Sequence, residues 1–177
     1  MSDFRVASRY AKSFMELSIE LKQLEQSHTS MQLIREVCKK NSNFVRLLNN
    51  PVIRYDYKLK IINRIFKDKV NELSSRFMHL LCKKGRESIL PEITKVFLDQ
   101  YNQYKGIVIA EVESAVPLTD DIKVALKSMV GKNKNEVILE EEVNEDIIGG
   151  FILKIGDRQL DNSLSTKLKK LKREFTR

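Results

Sequence analysis

Through the first hundred residues, apolar side chains recur every three or four positions, which is the spacing of one helix face. Six such stripes follow one another, with no proline before Pro51 and no glycine before Gly85. The predicted landmarks are a first stripe from Val6 to Leu24, a cap at Ser42, a fourth helix from Asp56 and a sixth helix from Arg86. Six amphipathic helices of this length predict a compact bundle over residues 1–105.

In the carboxy-terminal part of the chain the spacing changes from helical to alternating. β-Branched residues over 107–113 become polar at alternate positions and predict a strand. A second strand is predicted from Val137 into Glu140-Glu141-Glu142, whose carboxylates would point to alternating faces and mark a solvated edge rather than a cation site. Thr119 is predicted to cap a helix between these strands. The helix end and the turn predicted here are Gly131 and Asn144-Glu145-Asp146.

Glycines close to lysines near the end of the chain raise the question of a phosphate cradle. A P-loop places its glycines directly before a helix that carries Lys-Ser or Lys-Thr, whereas Gly149-Gly150 is predicted inside a third strand, Ile147 to Ile155, at a bulge or a close backbone approach. Gly156-Asp157 suits a two-residue type II′ hairpin loop. Asp161 and Asn162 are predicted to cap the last helix. The apolar face of that helix comprises Leu164, Leu168, Leu171 and Phe175.

Together the two patterns predict an α+β protein. An N-terminal six-helix bundle (residues 1–105) precedes a small C-terminal α/β domain (residues 106–177) with a short sheet and two helices. Each apolar stripe is first of all core, so spacing alone does not separate a partner-binding face from a buried one.

The net charge of +8 is distributed unevenly along the chain. Basic residues are in excess over residues 1–105 and 163–177, and acidic residues over residues 106–162. A net positive charge is compatible with nucleic acid and with acidic protein partners, and it does not distinguish between them. The lysines of the last helix lack interleaved aromatic stacking partners, so a solvated helix face is favoured over a nucleic-acid grip.

No residue spacing typical of a catalytic, cofactor or metal site occurs. His28 and His79 have no neighbours at the spacing of a zinc motif. Cys38 and Cys82 fall in apolar helical patterns and are interpreted as reduced core thiols of a cytosolic protein, with a disulfide or a reactive thiol as alternatives. No apolar run approaches a bilayer span, and the amino terminus lacks the pattern of an export signal. The residues alone therefore favour a soluble protein that acts by holding other proteins.

Short motifs spread over nearly the whole chain resemble the delta subunit of bacterial-type ATP synthases, a relative of the mitochondrial oligomycin-sensitivity-conferring protein. Any one motif is weak, but their order and spacing are fairly specific. Ser13 and Met15 depart from the family, which usually has alanine and phenylalanine there. The motifs are Arg9-Tyr10-Ala11 and the helix to Leu17; Asn50-Pro51-Val52-Ile53 with Lys58; Phe77, Leu80-Leu81 and Arg86; Ser114-Ala115 with Pro117-Leu118-Thr119; and Gly149-Gly150-Phe151, Gly156-Asp157, Asp161, Ser163 and Leu168.

The resemblance implies a non-catalytic stator subunit of the proton-translocating ATP synthase, without cofactors, peripheral on the cytoplasmic face of the bacterial inner membrane. It implies that the bundle receives the amino-terminal helix of an alpha subunit in a groove between its first and fifth helices, and that the carboxy-terminal domain meets the far end of the b subunits. A basic nucleic-acid-binding protein is the alternative, and an enzyme without a motif is a third hypothesis. The groove residues carried over are Tyr10, Ala11, Phe14, Phe77, Leu80 and Leu81.

Overall fold

The computed structural model describes residues 2–130, 136–144, 147–156 and 158–175. Over these residues the chain forms eight α-helices, a 3-10 turn and a four-stranded sheet. The helices are α1 Ser2–Glu20, α2 Leu24–Lys40, α3 Ser42–Asn49, α4 Tyr55–Phe66, α5 Glu72–Lys83, α6 Leu90–Lys105, α7 Asp120–Val130 and α8 Leu164–Phe175, with the 3-10 turn at Glu87–Ile89. The strands are β1 Ile107–Ser114, β2 Glu136–Val143, β3 Phe151–Ile155 and β4 Arg158–Asp161. An α+β fold is therefore confirmed.

Two compact units divide the chain, residues 1–101 and 102–177. The division falls in the last turns of α6, four residues before the boundary expected from the change of spacing. In the first unit, α1 to α6 enclose one apolar core that includes Phe14, Met31, Phe66 and Phe97. The predicted stripes supply this core because each helix turns its apolar face inward.

Three helix boundaries in the first unit differ clearly from the prediction, and α4 begins at Tyr55, one residue before the predicted Asp56. α1 ends at Glu20, where Lys22 takes a positive φ of 56°, so Leu24 begins α2 and does not extend the first helix. Ser42 is the first residue of α3, and the capping position falls on Asn41 without a side-chain hydrogen bond. After Arg86 the chain makes the 3-10 turn before α6 begins, because Leu90-Pro91 then fits the first helical turn, where a missing proline N–H costs nothing.

A small polar network joins three helices in the bundle interior. Asn71 caps α5 by accepting the Ser74 backbone N–H (3.0 Å), and its own backbone N–H donates to Ser30 Oγ (3.0 Å). The Asn71 amide also donates to Ser27 Oγ (3.2 Å), which accepts from Ser18 Oγ (3.1 Å). The start of α5 is thereby fixed beside α2 and the end of α1.

A buried ion pair joins α4 to the 3-10 turn. Lys58 Nζ lies 2.6 Å from Glu87 Oε1, and the two side chains are 3% and 11% exposed. The same ammonium donates to the backbone oxygen of Leu48 (2.8 Å) near the end of α3. Charges this deeply buried persist only when paired, so this contact fixes the three segments relative to one another.

The second unit is built on a sheet with the strand order β2-β1-β3-β4 among the described residues. β1 pairs with β2 in parallel, β1 with β3 antiparallel, and β3 with β4 antiparallel. α7 forms the crossover between the two parallel strands. Its Leu126 packs into a small core with Ala110, Val112 and Leu153.

β2 lies at an edge of the sheet, as the run of three glutamates predicts. Glu141 does not simply face water, because its carboxylate accepts from Lys123 Nζ (2.7 Å) and from the backbone N–H of Leu118 (2.5 Å). These two bonds hold the pKa of Glu141 below its usual value. Gly131, Glu145 and Asp146, for which a helix end and a turn are predicted, lie outside the described residues.

The glycine pair before β3 is not inside a strand, so that prediction is wrong, whereas the predicted close approach is confirmed. Gly150 has a φ of 85°, and a Cβ there would lie 2.4 Å from the backbone oxygen of Asn162. The Gly149 backbone oxygen accepts the Leu164 N–H at 2.9 Å. The pair thus carries the chain close to the start of α8, and at Gly150, where the backbone itself is in the way, only glycine fits.

The hairpin between β3 and β4 has the predicted two-residue loop, because Ile155 pairs with Arg158. Gly156 has the expected positive φ of 54°, while Asp157 lies outside the described residues. The cap of α8 differs from the prediction: Ser163 Oγ accepts the Thr166 N–H at 3.3 Å. Asp161 supports this cap from outside the helix, accepting the Ser163 N–H at 2.9 Å and the Thr166 hydroxyl at 2.8 Å.

Candidate partner-binding groove

A groove of about 600 Å³ runs along the surface of the bundle between α1 and α5. Its apolar lining comes from one face of each helix, at the three- and four-residue steps that place side chains in a row. The lining residues are Val6, Tyr10, Phe14 and Leu17 from α1, Leu73, Phe77 and Leu80 from α5, and the polar Arg9, Ser13, Arg76 and Arg86. We call this feature the α1–α5 groove.

The floor of the α1–α5 groove is aromatic. The ring centroids of Phe14 and Phe77 lie 4.5 Å apart, and those of Tyr10 and Phe77 lie 6.4 Å apart in an edge-on arrangement. Phe14 also contacts Phe97 of the core at 5.3 Å. Since rings at these distances stabilise one another, the floor is continuous with the core and preformed.

The walls of the groove are more exposed than the floor. Leu17 and Leu80 are 41% and 44% exposed, whereas Phe14 and Phe77 are 2% and 8% exposed. An exposed apolar wall above a buried aromatic floor is the geometry into which an amphipathic helix can place its apolar face.

The six residues expected at this site divide into two groups. Tyr10, Phe14, Phe77 and Leu80 line the α1–α5 groove. Ala11 and Leu81, at 0% and 1% exposure, are core residues and do not line it. Adjacent positions on a helix point about 100° apart, so Leu80 and Leu81 serve different surfaces.

Sequence reasoning missed several lining residues. Val6 and Leu17 belong to the stripe that was read as core, and Leu73 lies one turn before Phe77. Ser13, one of the two departures from the family pattern, also lines the groove, whereas Met15, the other, is buried. Val6, Leu17 and Leu73 all belong to predicted apolar stripes, but the spacing does not show which of them a neighbouring helix covers.

Comparisons with known proteins agree with this architecture. Residues 6–175 match the family model described as ATP synthase delta (OSCP) subunit. The chain belongs to the ATP synthase delta (OSCP) subunit family. Two relatives are called ATP synthase subunit delta. The one from Amoebophilus asiaticus is 41% identical, and the alignment covers 99% of this chain and 96% of the relative. The one from Cytophaga hutchinsonii is 38% identical, and the alignment covers 99% of this chain and 97% of the relative.

A solved structure shows the same fold as this delta-family chain. The match is a chain of the Toxoplasma gondii mitochondrial ATP synthase hexamer, determined by cryo-EM. It has a TM-score of 0.74 and 17% sequence identity, and 97% of each chain is covered. At this identity the likeness concerns the fold alone.

Family membership confirms the expected identity: the chain is a structural component of an ATP synthase and acts in its stator. Nothing in the comparisons supports the nucleic-acid-binding alternative. Among the described residues, no helix has the length and apolar character needed to cross a bilayer.

The described part of the delta-family chain holds no group of three His, Cys, Asp or Glu side chains arranged to bind a metal. His79 Nε2 contacts Asn63 Oδ1 at 2.6 Å, and the His28 ring stacks on Tyr101 at 3.8 Å. Cys38 and Cys82 are free and buried, and burial raises the pKa of each thiol to about 11. Both cysteines are core residues without a disulfide, as predicted.

The second unit of the delta-family chain exposes apolar side chains around the start of α8. Ile148, Leu160, Leu164 and Leu168 are 76%, 48%, 45% and 59% exposed. Lys167 and Lys169 are exposed on the same helix. The side chains of Leu171 and Phe175, predicted to continue this face, lie outside the described residues. The described half of the predicted apolar face is thus open to a partner.

Proposed function

We propose that this chain is the non-catalytic tether of the ATP synthase stator, which binds the amino-terminal helix of an alpha subunit in the α1–α5 groove. The observation that carries the proposal is the groove itself: an open apolar channel with an aromatic floor, in a chain of the delta family. Its shape and chemistry suit helix-in-groove recognition.

A stator must hold the catalytic head against the torque of the rotor, which requires slow dissociation. A helix of about 20 residues is roughly 30 Å long, enough to follow the groove from Val6 to Leu17. Each large apolar side chain that a guest buries contributes about 1.5–3 kcal/mol before ordering costs. Three or four such anchors, set on a preformed floor, give an affinity expressed mainly as a low dissociation rate.

The second unit is proposed to contact the carboxy-terminal end of the b subunits. The exposed leucines Leu164 and Leu168 offer apolar area, and the lysines beside them favour an acidic, amphipathic partner. With one unit on the head and the other on the stalk, the chain would lie at the cytoplasmic face of the membrane, held there through the complex.

Calorimetry tests the head contact. The full-length protein is titrated with a peptide of the first ~20 residues of the cognate alpha subunit, and binding is expected. Leu80→Asp places a carboxylate in the apolar wall and should weaken binding by about 2 kcal/mol, or roughly thirtyfold. Val52→Asp is the matched control, since Val52 is 86% exposed in the same unit and does not line the groove.

Two results would count against the proposal. One is the absence of binding to folded wild-type protein. The other is an equal loss of affinity in the Leu80 and Val52 variants, which would place the contact elsewhere. Circular dichroism before each titration establishes that both variants are folded.

A further inference from the structure

The charged residues that line the α1–α5 groove are all arginines. Arg9, Arg76 and Arg86 border it with exposed side chains, and no Asp or Glu belongs to the lining. Arg76 is paired with Glu72 at 2.5 Å. Within the described part of the chain, Arg9 and Arg86 form no ion pair with a carboxylate. The groove therefore has two uncompensated cations beside an apolar floor.

These two arginines lie toward the same end of the groove. The hydrogen bonds from Asn71 to Ser27 and from Ser18 to Ser27 place the start of α5 beside the end of α1, so the two helices run in opposite directions. Arg9 in the first half of α1 and Arg86 just beyond α5 consequently share one end, which we call the basic end.

The local fold turns the carboxylate nearest to Arg86 in sequence away from the basic end. Glu87, next to Arg86 in sequence, turns inward and is paired with Lys58 at 2.6 Å. On the other side of Arg86, α5 ends at the exposed cation Lys83, and the next residue, Lys84, is also an exposed cation. A positive potential thus remains where the groove opens.

Filling the groove changes the environment of these side chains. A guest helix that covers the apolar floor removes water from part of each guanidinium, which is unfavourable unless a carboxylate replaces that water. Arginine binds carboxylates through two parallel hydrogen bonds, so the replacement is directional. A guest helix whose acidic residues lie at the basic end pairs its carboxylates with the two guanidinium groups. The same helix bound in the reverse direction leaves them unpaired.

We infer that Arg9 and Arg86 are specificity-determining residues, which select an amphipathic helix carrying carboxylates at one end and thereby fix its direction in the groove. This inference rests on the proposed function, since it concerns the same groove. Two rim pairs together should change affinity by roughly tenfold, and the effect should decline with salt because the pairs remain partly exposed.

The test uses the full-length protein and three peptides of ~20 residues: the first segment of the cognate alpha subunit, its version with every Asp and Glu changed to Gln, and its version with them changed to Lys. The expected order of affinity at low salt is acidic, then neutral, then basic. Arg9→Glu with Arg86→Glu should reverse that order. Lys39→Glu with Arg46→Glu is the control, because it changes the net charge equally at exposed positions outside the groove.

The outcomes separate this inference from the proposed function. Reversed preference in the groove variant, with the order retained in the control, supports the selection by Arg9 and Arg86. Equal affinity of all three peptides for wild type overturns the inference and leaves the groove as a binding site. Failure of every peptide to bind folded protein overturns both the inference and the proposed function. A cognate alpha-subunit segment that contains no carboxylates overturns the inference alone.

Discussion

Breaking the buried pair between Lys58 and Glu87 should cost more stability than breaking any exposed pair. Lys58→Met removes the cation and leaves the Glu87 carboxylate, 11% exposed, without its partner. It also removes the donor to the Leu48 backbone oxygen. Losing one member of a buried pair costs about 3–5 kcal/mol, and an unsatisfied buried carbonyl adds about 1 kcal/mol. We expect a total destabilisation of about 4–6 kcal/mol, measured by urea unfolding.

A matched surface pair provides the control. Arg54 and Asp56 lie 3.3 Å apart, but their side chains are 84% and 47% exposed. Arg54→Met should cost less than about 1 kcal/mol, since exposed pairs contribute little. The double variant of Lys58→Met with Glu87→Met should recover much of the loss, because apolar groups of similar volume often replace buried pairs without penalty.

The result that refutes this reasoning is a loss below about 1 kcal/mol for Lys58→Met, equal to that of Arg54→Met. It would mean that the ammonium reaches water in the folded protein. A double variant less stable than the single one would show instead that the pair specifies the packing of α3, α4 and the 3-10 turn.

Three further predictions concern local chemistry. Gly150→Ala should unfold or strongly destabilise the second unit, because the added Cβ would meet backbone atoms. Gly85→Ala has nothing within 4 Å of the added Cβ and should cost only about 1 kcal/mol for its positive φ. Thermal denaturation compares the melting temperatures of the two variants. The hydrogen bonds from Ser163 lower the pKa of Asp161, so its support of α8 should hold above the unfolded pKa and be lost as pH falls through the lower folded value. Circular dichroism should therefore show more helix in wild type than in Asp161→Asn at neutral pH and a smaller difference in acid, and a difference that does not shrink on acidification would contradict this. Cys82 should react with a thiol reagent only on unfolding, and fast labelling of native protein would argue against its burial.

Much of the bundle could be predicted because the spacing of apolar residues identifies the face of each helix that is buried. The spacing does not identify whether that face is covered by another helix of the bundle or by a partner protein. Phe14 and Ala11 belong to the same helix and both are covered, yet Phe14 forms the groove floor and Ala11 lies behind it. Separating the two requires the position of α5, which is set by contacts more than 50 residues away along the chain.

The errors in the second unit have a similar origin. Gly149-Gly150 lies between apolar residues, a pattern that predicts a continuous strand, but the backbone just before α8 excludes a side chain at Gly150. The cap of α8 is Ser163 and not Asp161 or Asn162, because Asp161 lies two residues before the capping position and accepts a hydrogen bond from the Ser163 N–H instead. The cap contacts are local, whereas the close approach of Gly150 to the Asn162 backbone depends on tertiary structure and has no local sequence signal.

The central claim is that the α1–α5 groove holds the amino-terminal helix of an alpha subunit in the assembled enzyme. Its most direct test replaces Leu80 by the photo-crosslinking residue benzoylphenylalanine, with Val52 as the control position, and identifies the crosslinked peptides in purified ATP synthase by mass spectrometry. If the groove holds this helix, position 80 crosslinks to the first ~20 residues of an alpha subunit and position 52 does not. A crosslink from position 80 to any other subunit, or the same alpha-subunit peptide at both positions, would contradict it.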